Sequence, residues 1–375
     1  MKRISWILFF LLCFAINANA QKHTVDTCHC DTCMTVKIGR MIMAGFKGTT
    51  PSEEIKNAIE KYHVGGVILF DKDVSAGMGE RNIRSPQQLR ELTDQLRALS
   101  AEPLLIAIDQ EGGLVNRLKP DYGFPRTVTA AYQGITGSLD SASFWAAATA
   151  ATLAECGINV NFVPCVDVNI NRDNPIIARY GRSFSSDPDS VYLFAKRWVD
   201  EHHKRNIITS LKHFPGHGSS RDDSHNGLVD ITGTWRNEEL IPYNRFMDDG
   251  YNDIVMVGHL INSNIDPAYP ASLSAKTIQK LLRERIGFQG VVATDDMNMG
   301  AIADHYSLRK ALALAINAGV NMIIVGNNAR VYEDDLAVRC HDMISSMVSS
   351  GEIPVERIDD SYRRLESLMR NFGIE

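Results

Sequence analysis

The sequence predicts an α/β protein, a single (β/α)8 TIM-like barrel with C-terminal closing helices. Short apolar runs without polar alternation recur along the chain, as expected for parallel strands that are buried on both faces. Amphipathic segments with helical spacing separate these runs, and the connections between them are short. Eight strands, each followed by a helix, fit a closed barrel better than an open doubly wound sheet.

The predicted elements alternate from residue 40 onwards. Strands are predicted at 40–46, 66–70, 104–109, 160–166, 207–213, 254–258, 290–294 and 322–325. Helices are predicted at 52–62, 86–99, 143–156, 188–205, 276–285 and 308–318. Ser85 is a capping residue and Pro86 suits the first helical position, so these two residues mark a helix start. The segments 330–350 and 355–371 are predicted to be the closing helices.

Residues 1–20 have the pattern of a secretory signal peptide. Residues 2–3 are basic, 6–14 form an apolar run, and 18–20 are an A-x-A cleavage site. The apolar run is shorter than the roughly 20 residues of a membrane-spanning helix. We therefore expect an exported protein, periplasmic or secreted, with no stable membrane insertion after cleavage. A lipid anchor on Cys13 is the less favoured alternative, because a large leucine precedes it.

A cysteine-rich N-terminal arm is predicted at 21–35, followed by a catalytic domain at 36–375. Cys28, Cys30 and Cys33 are spaced as in a small metal site, but a disulfide within an exported arm is the favoured interpretation. The net charge of the chain is −6 and no basic stripe is present. Nucleic acid binding is therefore disfavoured.

Polar and charged residues lie at the ends of five of the predicted strands or just after them. They are Asp109, Gln110, Glu111 and Arg117, then Asp167 and Asn169, then Lys212 and His213, then His259, and finally Asp295 and Asp296. Because catalytic residues of such barrels lie at the carboxyl ends of the strands, we expect these side chains to share one pocket. Carboxylates that accept hydrogen bonds and cations that donate them can together bind sugar hydroxyl groups.

Glycosyl transfer needs a carboxylate at the reacting carbon and a separate acid/base. Asp295 is the predicted nucleophile, since it directly follows an apolar strand. His225 is the predicted acid/base, because an unperturbed pKa of about 6.5 suits proton transfer in both directions near neutrality. Asp223 is placed to orient the imidazole. An alternative interpretation takes His213, His217, Asp223 and His225 as metal ligands, but one irregular loop rarely provides a complete tetrahedral site.

At these residues the chain resembles the bacterial β-N-acetylglucosaminidases of glycoside hydrolase family 3. The motifs that carry the resemblance are Ile108-Asp109-Gln110-Glu111-Gly112-Gly113 with Arg117, Arg182-Ser183-Phe184, Lys212-His213-Phe214-Pro215-Gly216-His217-Gly218, Asp223-Ser224-His225 and Thr294-Asp295-Asp296-Met297-Asn298-Met299. The resemblance implies one (β/α)8 domain and a retaining mechanism that uses neither a metal nor another cofactor.

The resemblance also implies roles for single residues. Asp295 is the implied nucleophile, and Asp223 and His225 form the implied acid/base dyad. The residues implied to hold the sugar are Asp109, Arg117, Arg182, Lys212 and His213, with Arg179 as an alternative to Arg182. The expected reaction is removal of terminal GlcNAc from the non-reducing end of peptidoglycan-type glycans by an enzyme that we expect to be monomeric.

Several alternatives remain open at this point. The substrate's own acetamide is a rival nucleophile, since the adjacent Asp295 and Asp296 are similar to the paired acids of enzymes that work in that way. Phosphate is a rival acceptor to water. A β-glucosidase or β-xylosidase of the same family, and an exported sugar-binding protein without catalysis, are alternative functions.

Overall fold

The computed structural model of the chain describes residues 31–223 and 227–374. The predicted signal peptide at 1–20, most of the predicted arm at 21–35 and the predicted acid/base His225 lie outside the described residues. Within the described part of the chain, no helix is long and apolar enough to span a bilayer.

Eight parallel strands form one sheet in which successive strands lie side by side and the last strand pairs with the first. They are β1 (Ile42–Gly45), β2 (Gly66–Leu69), β3 (Leu105–Ile108), β4 (Val160–Asn161), β5 (Ile208–Phe214), β6 (Ile254–Val257), β7 (Val291–Thr294) and β8 (Ile323–Val325). Every residue of these strands is buried, which explains why most of their sequences are apolar without alternation. The strand β5 is the exception, because it carries Lys212 and His213. The predicted (β/α)8 barrel is confirmed.

Helices surround the sheet. They are α1 (Asp31–Arg40), α2 (Glu53–Glu60), α3 (Pro86–Leu99), α4 (Ala130–Thr136), α5 (Leu139–Glu155), α6 (Pro188–His203), α7 (Ile241–Asp248), α8 (Gly300–Ala303), α9 (Leu308–Ala318), α10 (Leu336–Ser349) and α11 (Val355–Asn371), with a π-helical segment at Lys276–Arg285. Two short ribbons pair Lys72–Asp73 with Gly79–Glu80 and Val229–Asp230 with Leu260–Ile261. The ribbons, the helix α1 and the short helices α4, α7 and α8 are additional to the predicted elements.

Helix starts follow their capping residues. The Ser85 hydroxyl accepts a hydrogen bond from Gln88 N at 3.2 Å, so α3 begins where the sequence predicts. The helix α5 begins at Leu139, earlier than predicted, because Ser138 caps it by accepting from Ser141 N at 3.1 Å. Local side-chain chemistry therefore sets both boundaries.

The strand β4 is shorter than predicted, since it ends at Asn161 rather than at residue 166. Pro164 lies within the predicted strand and has no N–H to donate to a neighbouring strand. Pairing resumes only as an isolated bridge between Cys165 and Lys212. This irregular stretch brings Asp167 to the carboxyl end of the barrel.

The helix α1 closes the amino end of the barrel. It begins at Asp31, so it spans the predicted boundary between arm and domain. Lys37 Nζ pairs with Asp359 Oδ1 of α11 at 2.7 Å, and Arg40 Nη1 donates to Pro103 O just ahead of β3. These contacts attach the start of the described chain to the end of the barrel at which the strands begin.

The sheet closes between β7 and β8. Ala293 forms a parallel bridge to Met322, and Ile324 N donates to Thr294 Oγ1 at 3.0 Å. Ahead of β8, the buried Asn321 side chain accepts hydrogen bonds from Val292 N at 3.0 Å and from Arg283 Nη2 at 2.8 Å. One carboxamide thus ties the closing strands to the π-helical segment.

Replacement of Asn321 by leucine is expected to destabilise the barrel. The change leaves Val292 N and Arg283 Nη2 without an acceptor in a buried position, at a cost of about 2–4 kcal/mol in the free energy of unfolding. Urea unfolding measures it. The control is Asn317→Ala, which removes an exposed hydrogen bond to Glu352 O and should change stability by less than about 0.5 kcal/mol. Equal effects of the two substitutions would contradict the prediction.

Candidate active site

A buried ammonium group joins the loop after β3 to β5. Lys212 is 2% exposed, and its Nζ lies 2.6 Å from Asp109 Oδ1 and 2.7 Å from Glu111 Oε1. Burial alone would lower the pKa of Lys212, but the carboxylates of Asp109 and Glu111 outweigh burial and raise it. Lys212 therefore remains charged and fixes both acids.

Arg117 stands on the other side of Asp109. Its Nη2 lies 3.9 Å from Asp109 Oδ2, and the Asp109 side chain is 18% exposed. Gln110 holds this turn, because its Oε1 accepts hydrogen bonds from Arg117 N at 2.9 Å and from Leu118 N at 3.0 Å. Asp109 is thus a partly open carboxylate between two cations, an arrangement that can bind a sugar hydroxyl group.

Arg182 reaches the same group of charges from the loop after β4. It donates to Glu111 through two bonds, Nε to Oε2 at 2.8 Å and Nη2 to Oε1 at 2.7 Å. Burial would raise the pKa of Glu111, but Arg182 and Lys212 hold it well below its usual range. The alternative residue Arg179 is exposed, whereas Arg182 is buried among the predicted sugar-binding residues.

His213 is fixed at both ring nitrogens. Its Nδ1 lies 2.7 Å from Asp167 Oδ2, and its Nε2 lies 3.1 Å from Arg182 Nη2. Because a guanidinium has donors only, Nε2 must accept, and the proton sits on Nδ1 and is donated to Asp167. Against the effect of burial, His213 and His217 hold the pKa of Asp167 well below its usual range.

The loop that follows β5 is anchored at its start. His217 N donates to Asp167 Oδ1 at 2.7 Å, and His217 Nδ1 lies 2.7 Å from Ser220 Oγ. Asn174 Nδ2 donates to His217 O at 2.8 Å. Burial, and then the neighbouring His213, lower the pKa of His217 to about 4, so this imidazole is neutral at physiological pH.

The predicted acid/base dyad lies farther along this loop. Arg221 and Asp222 are exposed, and Asp223 is half-buried at the end of the described stretch. His225 lies outside the described residues. The contact between Asp223 and His225 therefore stays a prediction.

Asp295 follows β7 directly, as predicted for the nucleophile. Its backbone N donates to Val257 O at 3.1 Å, and its Oδ1 accepts from Asp296 N at 2.8 Å. The side chain of Asp296 turns to β8 instead, where its Oδ1 accepts from Gly326 N at 2.8 Å. The imidazole of His259 supports this turn, since its Nε2 lies 3.0 Å from Asp296 O.

Three buried residues bring possible metal-ligating atoms within 4.8 Å of one another: Cys165, Asp167 and His213. In this arrangement Cys165 Sγ, at 3.2 Å, and His213 Nδ1, at 2.7 Å, both donate to the same oxygen, Asp167 Oδ2. The cationic Arg182 contacts the other nitrogen of His213. The three side chains thus form a hydrogen-bonded cluster beside a positive charge, which disfavours a further cation.

A cavity of about 340 Å³ opens at the opposite end of the barrel, where Asn252 and Gly290 precede β6 and β7. Asp360 and Arg364 line it and pair with each other at 3.0 Å. We place the active site at the carboxyl ends of the strands, because the charged groups described above converge there.

The structure brings most of the predicted site residues to one end of the barrel. Those described are Asp109, Arg117, Arg182, Lys212, His213, Asp223 and Asp295. Sequence reasoning placed Glu111 and Asp167 at strand ends but assigned them no role. It missed Glu239, a buried acid beside the loop after β5, which has no signal in the sequence because it lies in a short turn between predicted elements.

Similarity to known proteins covers most of the chain. The profile of the "Glycosyl hydrolase family 3 N terminal domain" matches residues 33–368. A protein of Alkalilimnicola ehrlichii named beta-hexosaminidase is 34% identical over 296 residues, which cover 76% of this chain and 80% of that protein.

Two solved structures have the same architecture. A glycoside hydrolase family 3 β-N-acetylglucosaminidase from a Paenibacillus species superimposes with a TM-score of 0.82 at 33% identity, over 91% of this chain. This chain spans 62% of the length of that protein. A β-N-acetylhexosaminidase from Beutenbergia cavernae superimposes with a TM-score of 0.78 at 27% identity, over 91% of this chain and 98% of the other.

Removal of the Glu111 charge is expected to destabilise the site strongly. Glu111→Gln leaves the buried cations Arg182 and Lys212 without a full partner, which costs about 3–5 kcal/mol in the free energy of unfolding. The control is Glu80→Gln, which breaks an exposed pair with Arg84 and should cost less than about 1 kcal/mol. Urea unfolding at pH 7 compares the two variants, and a small loss for Glu111→Gln would contradict the prediction.

The same variant tests the pH dependence. The pKa of Glu111 is lowered in the folded protein, so its contribution to stability is complete above its unfolded pKa of about 4.3 and is lost as pH falls towards the folded value. The stability gap between the wild type and Glu111→Gln should therefore be constant from pH 7 to pH 5 and shrink at pH 3.5. Urea unfolding at these three pH values measures the gap, and a constant gap would be inconsistent with a lowered pKa.

Proposed function

The chain belongs to glycosyl hydrolase family 3 and is a glycoside hydrolase, and from this premise we propose that it is a β-N-acetylhexosaminidase. It removes a single terminal GlcNAc from the non-reducing end of peptidoglycan-type glycans, with retention of the β configuration. The observation that carries this proposal is the partly open carboxylate of Asp109 between Lys212 and Arg117, at the same barrel end as Asp295.

The charges of the pocket suit an uncharged sugar. Three carboxylates, those of Asp109, Glu111 and Asp167, are balanced by three cations. These cations are Arg117, Arg182 and Lys212. Because these charges balance, the pocket has no excess of positive charge that would attract an anion. The carboxylate of Asp295 then adds negative charge, which stabilises the positive charge that develops on the sugar in the transition state.

The reaction proceeds by double displacement. The Asp295 carboxylate attacks the anomeric carbon and forms a glycosyl ester, while His225 protonates the departing glycosidic oxygen. The neutral imidazole then takes a proton from water, and the hydroxide that forms attacks the same carbon and releases both GlcNAc and Asp295. Asp223 supports the positive charge that His225 carries before the first step and regains in the second step.

The contacts of Asp296 favour this route over one in which the substrate's acetamide acts as nucleophile. The acetamide route needs a second carboxylate that faces the acetamide of the sugar. The Oδ1 of Asp296 accepts hydrogen bonds from Gly326 N at 2.8 Å and from Asn298 N at 3.0 Å. This carboxylate is therefore engaged in holding the loop after β7 against β8.

The signal-peptide pattern at 1–20 supports a location outside the cytoplasm, periplasmic or secreted. Peptidoglycan fragments are the GlcNAc-containing glycans found there in bacteria. The proposed substrate thus follows from the proposed location together with the family of the chain.

The first test compares two substrates. We expect the enzyme to release nitrophenol from the β-GlcNAc glycoside, to leave the β-glucose glycoside intact, and to work equally well with EDTA present. Asp295→Asn should lower kcat by roughly 10⁴-fold, because the change removes the nucleophile. Preferential cleavage of the β-glucoside would favour the alternative activity, and loss of activity with EDTA would favour a metal enzyme.

The glycosyl-aspartate is tested by trapping. A 5-fluoro β-GlcNAc derivative with an activated leaving group should leave one sugar on the enzyme, because the fluorine slows both steps while the leaving group keeps the first step fast. Peptide mass spectrometry is expected to locate the sugar on Asp295. If inactivation leaves no adduct on Asp295, the double displacement is overturned.

A further inference from the structure

A buried acid outside the predicted site contacts the loop after β5. Glu239 lies in the short helical turn Asn237–Leu240 and is 1% exposed. Its Oε2 accepts hydrogen bonds from Gly218 N at 3.1 Å and Ser219 N at 3.3 Å, and its Oε1 accepts from Arg236 N at 3.3 Å. The carboxylate therefore joins its own turn to the backbone of the loop.

Asp167 holds the preceding residues of this loop. It accepts a hydrogen bond from His213 N at 3.2 Å and another from His217 N at 2.7 Å. Two buried carboxylates thus hold the backbone between residues 213 and 219, and each binds residues that the other does not. Two like charges near each other are costly. The placement of both carboxylates against one loop therefore indicates that the loop backbone needs to be held in this conformation.

The backbone of the loop at Gly216 and Gly218 is packed closely against neighbouring atoms. A side chain on Gly218 would place its Cβ 1.7 Å from Val168 O, and one on Gly216 would place it 2.7 Å from the Glu239 side chain. Trp235 Nε1 also donates to Pro215 O at 3.0 Å. The segment 215–219 therefore has one fixed path, and four residues later the chain reaches Asp223.

We propose that Glu239 is a positioning residue for general acid/base catalysis, because its carboxylate fixes the backbone from which the Asp223 segment extends. This inference rests on the proposed function, in which Asp223 supports the acid/base. Glu239 itself touches neither the sugar nor the reacting atoms in this role.

The cost of this carboxylate supports a functional reason for it. Burial, and then the charge of Asp167, raise the pKa of Glu239 to about 7, and Tyr243 is another titratable group beside it. A folded pKa above the unfolded value of about 4.3 means that this acid reduces stability as pH rises from about 4.3 to 7. The stability that is lost when this acid ionises is explained if the hydrogen bonds of its carboxylate serve catalysis.

The test separates leaving groups that need protonation from those that do not. A mispositioned acid slows cleavage of phenyl β-GlcNAc, whose leaving group must be protonated, but hardly affects 2,4-dinitrophenyl β-GlcNAc, whose leaving group departs as an anion. For Glu239→Ala we expect kcat/KM to fall about 10²-fold for the phenyl glycoside and only severalfold for the dinitrophenyl glycoside. Glu239→Gln, which replaces one acceptor by a donor, should fall between the wild type and alanine.

Asp253→Asn is the matched control. Asp253 is also a buried acid, it accepts from Thr209 N at 3.0 Å, and it precedes β6 at the opposite end of the barrel. This variant should change both substrates by the same factor. Equal losses on both substrates in Glu239→Ala would overturn the proposal, because they would indicate a general structural defect.

Hydrogen–deuterium exchange provides a readout that does not depend on activity. In Glu239→Ala, amides of the peptide that covers 214–221 should exchange faster than in the wild type, whereas Asp253→Asn should leave this peptide unchanged. Unchanged exchange in Glu239→Ala would overturn the proposal even if the enzyme is active. If the wild-type protein cleaves neither glycoside, the proposed function fails, and the exchange result still shows whether Glu239 fixes the loop.

Discussion

The carboxyl end of this barrel is organised around the buried ammonium group of Lys212. Removal of such a charge from water costs several kcal/mol, and only well-placed partners recover that cost. Asp109 and Glu111 are those partners, and Arg182 completes the group from the loop after β4. Because each member is costly to bury alone, the three connections are mutually dependent. Two loops and one strand are therefore held in one arrangement before any substrate enters.

A second buried carboxylate, that of Asp167, connects the predicted sugar-binding residue His213 to the loop after β5. Asp167 binds the imidazole of His213 through one oxygen and the backbone of His217 through the other. A displacement of this carboxylate would alter both the predicted sugar-binding histidine and the path towards Asp223. These side chains thus form one connected hydrogen-bond network, in which Asp167 links His213 to the backbone of His217.

Much of this architecture is predictable from the sequence, for an identifiable reason. Buried parallel strands need continuous apolar runs, and the eight runs were all found as strands. Polar residues at the carboxyl ends of such runs, or just after them, must lie at the barrel end, which located Asp109, Lys212 and Asp295. The length of β4 was wrong, because the effect of Pro164 on pairing was not considered.

The pairing of charged side chains that are distant in the sequence was not predictable in the same way. Arg182 and Glu111 are 71 residues apart in the chain, and no periodicity indicates that they meet. Glu239 lies in a turn whose sequence is unremarkable, and only the folded chain shows that its carboxylate reaches Gly218. Sequence patterns report burial and direction along an element, whereas the pairing of distant charges depends on how loops cross.

The helix α1 and the charged groups of the site lie at opposite ends of the barrel strands. This helix enters β1 at the end where the strands begin, and the substrate pocket lies at the end where they finish. The contacts of Lys37 and Arg40 thus hold the chain ahead of β1 at a distance from the charged groups of the site. With the proposed activity on glycan ends, this separation would leave the entrance to the pocket free for a large substrate.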